Sequence, residues 1–159
     1  MSEETVIKYV LDNFHFPTLY DETPSKLWCN RNYVLAAVSR DGCTLVYASN
    51  IFQNDREIVL AAVKNNGCAL QYACDELRGD REIVLAAVNN YGYTLEFASA
   101  ELRGDREIVL AAVKKYGRAL QYASAELRGD REIVLTAIKK DAYALRCAND
   151  ELRKEFECC

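Results

Sequence analysis

The chain has 159 residues, of which 50% are hydrophobic and 28% are charged, and its net charge is −4. This balance is typical of one globular domain, and the acidic excess argues against a general nucleic-acid binder, which carries a basic excess. The sequence has no apolar run near the roughly 18 residues of a membrane-spanning helix, and it has no signal-peptide pattern. We therefore expect a cytoplasmic protein in which most of the seven cysteines are free thiols.

Residues 1–29 come first in the chain and match the later repeats only weakly. They contain apolar residues at helical spacing: Val6, Ile7, Val10, Leu11 and Phe14. Terminal units of stacked arrays are atypical because they cover the end of the core. We interpret residues 1–29 as a degenerate N-terminal cap.

An internal repeat fills the rest of the sequence. The string Asp-Arg-Glu-Ile-Val-Leu recurs every 25 residues, beginning at Asp55, Asp80, Asp105 and Asp130. A weaker copy begins 25 residues earlier, at Asn30. We number the predicted units 1 to 5, and they span residues 30–54, 55–79, 80–104, 105–129 and 130–154. Residues 155–159 are left as a tail.

Unit 2 illustrates how each repeat is expected to fold. Asp55 is a good N-cap, because its carboxylate can accept bonds from the free N–H groups of a helix start. The apolar residues that follow predict helix A, about 11 residues long, ended by Gly67 in the left-handed conformation. Helix B is predicted from about residue 69 to residue 77, because its apolar residues share one helical face, and Gly79 ends it.

The pattern of the helices predicts how the units are arranged. Helix A is apolar almost all the way round, and neither helix can bury its apolar face alone, so the units must stack. The sequence therefore predicts an all-α fold in a single domain, 1–159. We expect a right-handed α-solenoid of stacked short helix pairs, with about five repeats and the degenerate N-terminal cap. Ala142 and Lys154 replace the two glycines in unit 5, which we interpret as the C-terminal cap.

The repeat also resembles a known family. Its unit, Asp-Arg-Glu-Ile-Val-Leu-Ala-Ala-Val-Lys-x-x-Gly-x-Ala-Leu-x-Tyr-Ala-Ser, is similar to the repeat catalogued as domain of unknown function 4116. The similarity covers roughly residues 30–153. It implies tandem helical repeats and brings no assigned activity, cofactor or catalytic residue.

Catalytic and metal-binding patterns are missing from the sequence. His15 is the only histidine, so no Ser-His or Cys-His pair is credible, and no paired cysteines suggest a zinc site. Arg-Gly-Asp recurs at the repeat interval, where a helix end followed by an N-cap explains it better than an adhesion motif. We expect no enzyme activity, cofactor or metal. Cys158 and Cys159 leave lipidation open, although the residues before them are not polybasic.

Two pairs of opposite charge recur in the units. Arg56 stands beside Glu57 and Arg78 beside Glu76, and both pairs have equivalents 25 residues further on. Stacking is expected to align each set into a charge ladder. Since exposed ion pairs contribute only about 0–1 kcal/mol, we interpret both ladders as fixing register rather than forming a site.

Positions that differ between units concentrate at the end of helix A and in the turn that follows. They are rich in tyrosine and basic residues: Tyr91, Tyr93, Lys114, Lys115, Tyr116, Arg118, Lys139, Lys140 and Tyr143. Tyrosine and arginine often dominate interface energetics. We predict that this edge binds another protein and that the chain is a monomeric interaction or scaffold module.

The charge of this edge changes along the array. Unit 3 has two basic and four acidic residues, a net charge of −2, and unit 4 has five basic and three acidic residues, a net charge of +2. The change suggests a partner with an acidic segment near the C-terminal units. Two alternatives stay open: RNA or DNA binding by the same basic and aromatic edge, and a structural element that assembles end to end.

Overall fold

The computed structural model describes residues 27–157, together with Asp12. The remainder of the predicted N-terminal cap and the Cys158–Cys159 pair lie outside the described residues. Within the described part of the chain every regular element is a helix, and the helices of consecutive units pack side by side in chain order. The expectation of an all-α solenoid is therefore confirmed. A short 3₁₀ helix, Leu27–Cys29, precedes the first unit.

Helix A is a ten-residue α-helix in every unit. Its bounds are Arg31–Arg40, Arg56–Asn65, Arg81–Asn90, Arg106–Lys115 and Arg131–Lys140. The residue before each helix is an asparagine or aspartate whose side chain accepts a backbone N–H of the first turn. Asp80, for example, accepts from the N–H groups of Glu82 and Ile83. The predicted N-caps are thus confirmed, and a cap of this kind stabilises a helix by about 1 kcal/mol.

Helix B differs from the prediction in type and in length. It is a six-residue 3₁₀ helix with the bounds Gly42–Tyr47, Gly67–Tyr72, Gly92–Phe97, Gly117–Tyr122 and Ala142–Cys147. An extended alanine ends it, and a separate closing turn follows: Asn50–Gln53, Asp75–Arg78, Leu102–Gly104, Leu127–Gly129 and, as a longer helix, Asp150–Glu157. Gly67, Leu70 and Ala73 are buried at every third residue, which is the period of a 3₁₀ helix.

Gly67 does not adopt the left-handed conformation predicted for it. No described glycine has a positive φ, and that of Gly79 is −97°. The first residue of helix B is instead a glycine because helix B lies very close to the backbone of the next helix A. A Cβ on Gly92 would lie 2.3 Å from the carbonyl oxygen of Ala112 in the next unit. The equivalent distances are 2.2 to 2.5 Å at Gly42, Gly67 and Gly117. Ala142 takes this position in unit 5, after which the described residues contain no further helix A.

One hydrophobic core runs through all the units. Each helix A packs against the helices A on either side and against the helices B of its own and the preceding unit. Ile83 of helix A and Leu95 of helix B have no exposed surface, and neither do their equivalents in units 2 and 4. Full burial of such a side chain stabilises the fold by roughly 1.5–3 kcal/mol. The apolar side chains of one unit are therefore buried by the helices of its neighbours as well as by its own.

One of the two predicted charge ladders is present, and it runs between units. Arg56 Nε lies 2.8 Å from Asp80 Oδ2, and Arg56 Nη2 lies 2.5 Å from Glu82 Oε2, both in the next unit. Arg31, Arg81 and Arg106 pair with the next unit in the same way. We call this row the helix-start ladder. The predicted second ladder is wrong, because Arg78 pairs with Asp75 and not with Glu76.

Acid is expected to weaken the helix-start ladder. The pKa of Asp80 lies below its usual range, chiefly because the Arg56 guanidinium donates to it. Carboxylates of this kind stabilise the fold above their unfolded pKa and lose that contribution as the pH falls, so stability should decline below about pH 4. Urea unfolding at about pH 7 and pH 3.5 measures the decline. In the Asp80→Asn variant the decline should be smaller, and an equal decline would contradict the assignment.

Candidate functional site

The residues predicted to bind a partner lie along one edge of the solenoid, where helix A ends and helix B begins in each unit. We call this surface the turn edge: Tyr91, Tyr93, Lys114, Lys115, Tyr116, Arg118, Lys139, Lys140 and Tyr143. The lysines are the last two residues of helix A in units 4 and 5. Tyr91 and Tyr116 follow helix A in an extended conformation, and the remaining residues are second in helix B. Equivalent positions in stacked units therefore place all nine on one edge.

Three tyrosines form a cluster across units 3 and 4. The ring centroids of Tyr91 and Tyr93 are 6.1 Å apart, and those of Tyr93 and Tyr116 are 6.5 Å apart in an edge-to-face arrangement. Between 36% and 46% of each tyrosine is exposed. Edge-to-face pairs contribute about 0.5–1.5 kcal/mol beyond the burial of area. The cluster therefore holds three partly exposed rings in a fixed arrangement.

A hydrogen bond fixes the central ring of this cluster. The hydroxyl oxygen of Tyr93 lies 2.6 Å from Cys68 Sγ in the preceding unit. This bond, together with partial burial, raises the pKa of Tyr93 to about 12. The ring of Tyr93 is therefore tied to unit 2 as well as to unit 3.

Arg118 and Tyr143 form a second group at the C-terminal end of the turn edge. Arg118 Nε lies 2.7 Å from Asp141 Oδ2, and the guanidinium carbon of Arg118 lies 4.9 Å from the centroid of the Tyr143 ring. Arg146 approaches the same ring at 5.6 Å. Cation–π contacts at exposed sites contribute about 0.5–1 kcal/mol. Tyr143 remains 61% exposed, so its ring is oriented by two cations yet open to solvent.

The side chains of the turn-edge lysines are accessible to solvent. All four are exposed, and none of them forms an ion pair within the part of the chain that the structure describes. In units 2 and 3 the residues equivalent to Lys115 and Lys140 are Asn65 and Asn90, whose amides donate to carbonyl oxygens at the end of the preceding helix A. A lysine in that position replaces a contact within the stack by an exposed positive charge.

A groove extends from the turn edge onto the outer face of helix A. It has a volume of about 460 Å³ and lies between the helices A of units 3 and 4. Leu85, Leu110 and Ala111 form its apolar part, and Asn89, Glu107, Lys114 and Lys115 form its polar part. The groove therefore combines a shallow apolar surface with charged side chains of both signs.

Sequence reasoning missed two residues of this surface. Asp141 and Arg146 contact the predicted residues but were not among them. Arg146 falls where units 2 to 4 have glutamine or glutamate, so its difference from the repeat was the available signal. The tyrosines of units 3 and 4 form one cluster and Arg118 and Tyr143 another, whereas the sequence predicted a single strip.

Two kinds of feature are absent from the described residues. No group of three side chains of the metal-ligating types comes together among them. No helix within the described ranges has both the length and the apolar character needed to cross a membrane.

Comparison with known proteins supports the assignment of the repeat. Residues 30–78, 55–103, 80–128 and 105–153 each match the family described as Domain of unknown function 4116. The chain belongs to this family. No curated protein and no solved structure matches it.

The matches to Domain of unknown function 4116 each span two adjacent units. This agrees with the packing, because helix A of one unit closes over helix B of the unit before it. The positions that build this packing are the same in most units, and the turn edge occupies positions that differ. Family membership therefore accounts for the stacked fold. It does not indicate what the turn edge does.

Proposed function

We propose that this protein is a non-enzymatic interaction module that binds another protein along the turn edge. The observation that carries the proposal is the exposed cluster of Tyr91, Tyr93 and Tyr116 beside lysines that have no ion-pair partner in the described residues. Such lysines favour an acidic segment in the partner, as electrostatic complementarity requires.

The rigidity of the turn edge supports a binding role. Tyrosine offers a large contact area with few rotatable bonds, so little entropy is lost when it is fixed in a complex. Tyr93 is held by Cys68 and Arg118 by Asp141 before any partner arrives. Preorganisation of this kind lowers the cost of association.

Nucleic acid is the second candidate, favoured by the four free lysines beside aromatic rings. Backbone phosphates would meet the lysines and bases would stack on the tyrosines. The net charge of −4 weighs against this candidate. If it were correct, affinity for single-stranded nucleic acid would fall steeply with salt.

We also propose that the protein is a cytoplasmic monomer. Free cysteines at Cys29, Cys43, Cys68, Cys74 and Cys147 fit a reducing compartment. End-to-end stacking in the register of the array would bring a helix A against Ala142, where every earlier unit needs a glycine. A molar mass by light scattering that does not change with concentration would agree with a monomer.

Site-specific crosslinking tests where the partner binds. A photoreactive phenylalanine replaces Tyr143, which is 61% exposed, or, as the matched control, Tyr47, which is 43% exposed and lies at the end of helix B. The Tyr143 variant should crosslink to a protein in native lysate, and the Tyr47 variant should not. The triple variant Tyr91→Ser, Tyr93→Ser, Tyr116→Ser should weaken that interaction at least roughly tenfold.

The same experiment can contradict the proposal in two ways. Equal crosslinking from Tyr143 and Tyr47 would place the interaction elsewhere. A crosslinked product that disappears with nuclease treatment would favour the nucleic-acid candidate.

A further inference from the structure

A second row of arginines lies along the opposite edge of the solenoid from the turn edge, on the side where helix A starts. Arg78, Arg103, Arg128 and Arg153 are equivalent residues of the closing turns. In the first three the Nε atom is buried and has no hydrogen-bond partner among the described residues. Each of these residues is partly exposed although its Nε atom is buried. We call this set the closing-turn row.

The members of the closing-turn row differ in one respect. Arg78 pairs with Asp75, three residues before it, and Arg153 Nη2 lies 2.6 Å from Asp150 Oδ1 in the same relation. The corresponding residues before Arg103 and Arg128 are Ala100 and Ala125. These two central arginines form no ion pair within the described ranges. The outer arginines therefore have a built-in carboxylate, and the two central ones lack it.

Space for a ligand adjoins Arg103. A cavity of about 250 Å³ lies between the closing turns of units 2 and 3, and Asp75, Arg78, Ala100 and Arg103 are among the residues that line it. Arginine recognises carboxylates through paired N–H donors, and such charge-assisted bonds are roughly twice as strong as neutral ones. A carboxylate bound beside Arg103 or Arg128 would take the place that Asp75 and Asp150 fill beside Arg78 and Arg153.

We infer that Arg103 and Arg128 bind two carboxylates of an extended acidic peptide from a partner protein. Stacked units are spaced by roughly 9–10 Å, as packed helices are. In the extended polyproline II conformation, residues three apart lie on the same side of the chain and are separated by about 9 Å. The row therefore fits a peptide with acidic residues three positions apart. This site is separate from the turn edge, so either can be correct without the other.

A pair of substitutions tests this site without removing either arginine. Ala100→Asp and Ala125→Asp give Arg103 and Arg128 the partner that Arg78 and Arg153 already have. The probe is a fluorescent peptide of glycine and serine with two glutamates three residues apart, and its control has glutamines instead. Wild-type protein should bind the glutamate peptide at least about tenfold more tightly than the double aspartate variant does. The variant should be as stable as wild type, since units 2 and 5 already contain the same pair.

Further measurements separate this site from a general charge effect. In NMR titration the buried Nε–H signals of Arg103 and Arg128 should shift with the glutamate peptide. Changing Lys114 and Lys115 to glutamine on the turn edge should leave the affinity unchanged. Equal binding of the glutamine peptide, or equal binding to the double aspartate variant, would overturn the inference. Tighter binding of single-stranded DNA than of the peptide, lost in the same variant, would overturn the assignment to an acidic peptide.

Discussion

Replacing Gly92 with alanine is expected to destabilise the array by about 3 kcal/mol or more, at the upper end of the range for overpacked sites. The added methyl group would lie 2.3 Å from the carbonyl oxygen of Ala112 and 3.0 Å from the backbone nitrogen of Tyr116. Both atoms belong to the backbone of the next unit and cannot rotate away as a side chain can. Helix B of unit 3 and helix A of unit 4 would have to separate, which opens the core between them.

A second glycine of the same unit is the matched control for this prediction. A Cβ on Gly104 would be 3.9 Å from its nearest neighbours, atoms of the Ser124 side chain, and the φ of Gly104 is not positive. Gly104→Ala should be neutral or stabilise the protein by up to about 1 kcal/mol, because alanine restricts the unfolded chain. Urea unfolding of the two variants measures the contrast. A similar loss of stability in both variants would show that the close approach to Ala112 is not what requires a glycine at position 92.

The role of the N-cap residues could be predicted from the sequence, whereas the role of the glycines could not. Asp80 could be identified as an N-cap because a cap depends on local chemistry alone, and the structure places it there. Gly92 could be identified as special, but its reason lies in Ala112, which is 20 residues away and in another unit. Left-handed turns and close approaches both require glycine, so one sequence cannot distinguish them.

The second helix was mispredicted for a related reason. An α-helix and a 3₁₀ helix both place residues i and i+3 on one side, so the apolar residues at 70, 73 and 77 suited a single longer helix. At the break after Ala73, the N–H of Cys74 bonds to the carbonyl oxygen of Gln53 in the preceding unit at 3.3 Å. Contacts of this kind appear only once the units are stacked.

The candidate surfaces were predictable to different degrees. The turn edge was found because its residues differ between units. The closing-turn row was missed because its arginines are identical in units 2 to 4, and identity was interpreted as structural. The informative difference lies three residues earlier, where Asp75 becomes Ala100 and Ala125. Its meaning depends on the i, i+3 contact that the structure shows at Arg78.

The second large effect is expected at Leu120, whose replacement by alanine should cost about 3–4 kcal/mol, within the range for buried leucines. Leu120 has no exposed surface, because helix B of unit 4 packs between the helices of units 3 and 5. Leu145 is the same residue type at the same place in unit 5, where it is only partly buried. Leu145→Ala should therefore cost roughly half as much, since a smaller cavity is left.

The pair also tests whether the stack behaves as a chain of neighbours. In a repeat array, stability is approximately a sum of unit terms and interface terms. Leu120→Ala weakens the packing of unit 4 on both sides, whereas Leu145→Ala weakens only the C-terminal end. Amide hydrogen exchange should then show lost protection in units 3 to 5 for the first variant and in unit 5 alone for the second. Equal urea midpoints and a uniform loss of protection in both variants would mean that the array unfolds as one block, and burial at a single position could not then be assigned to a particular interface.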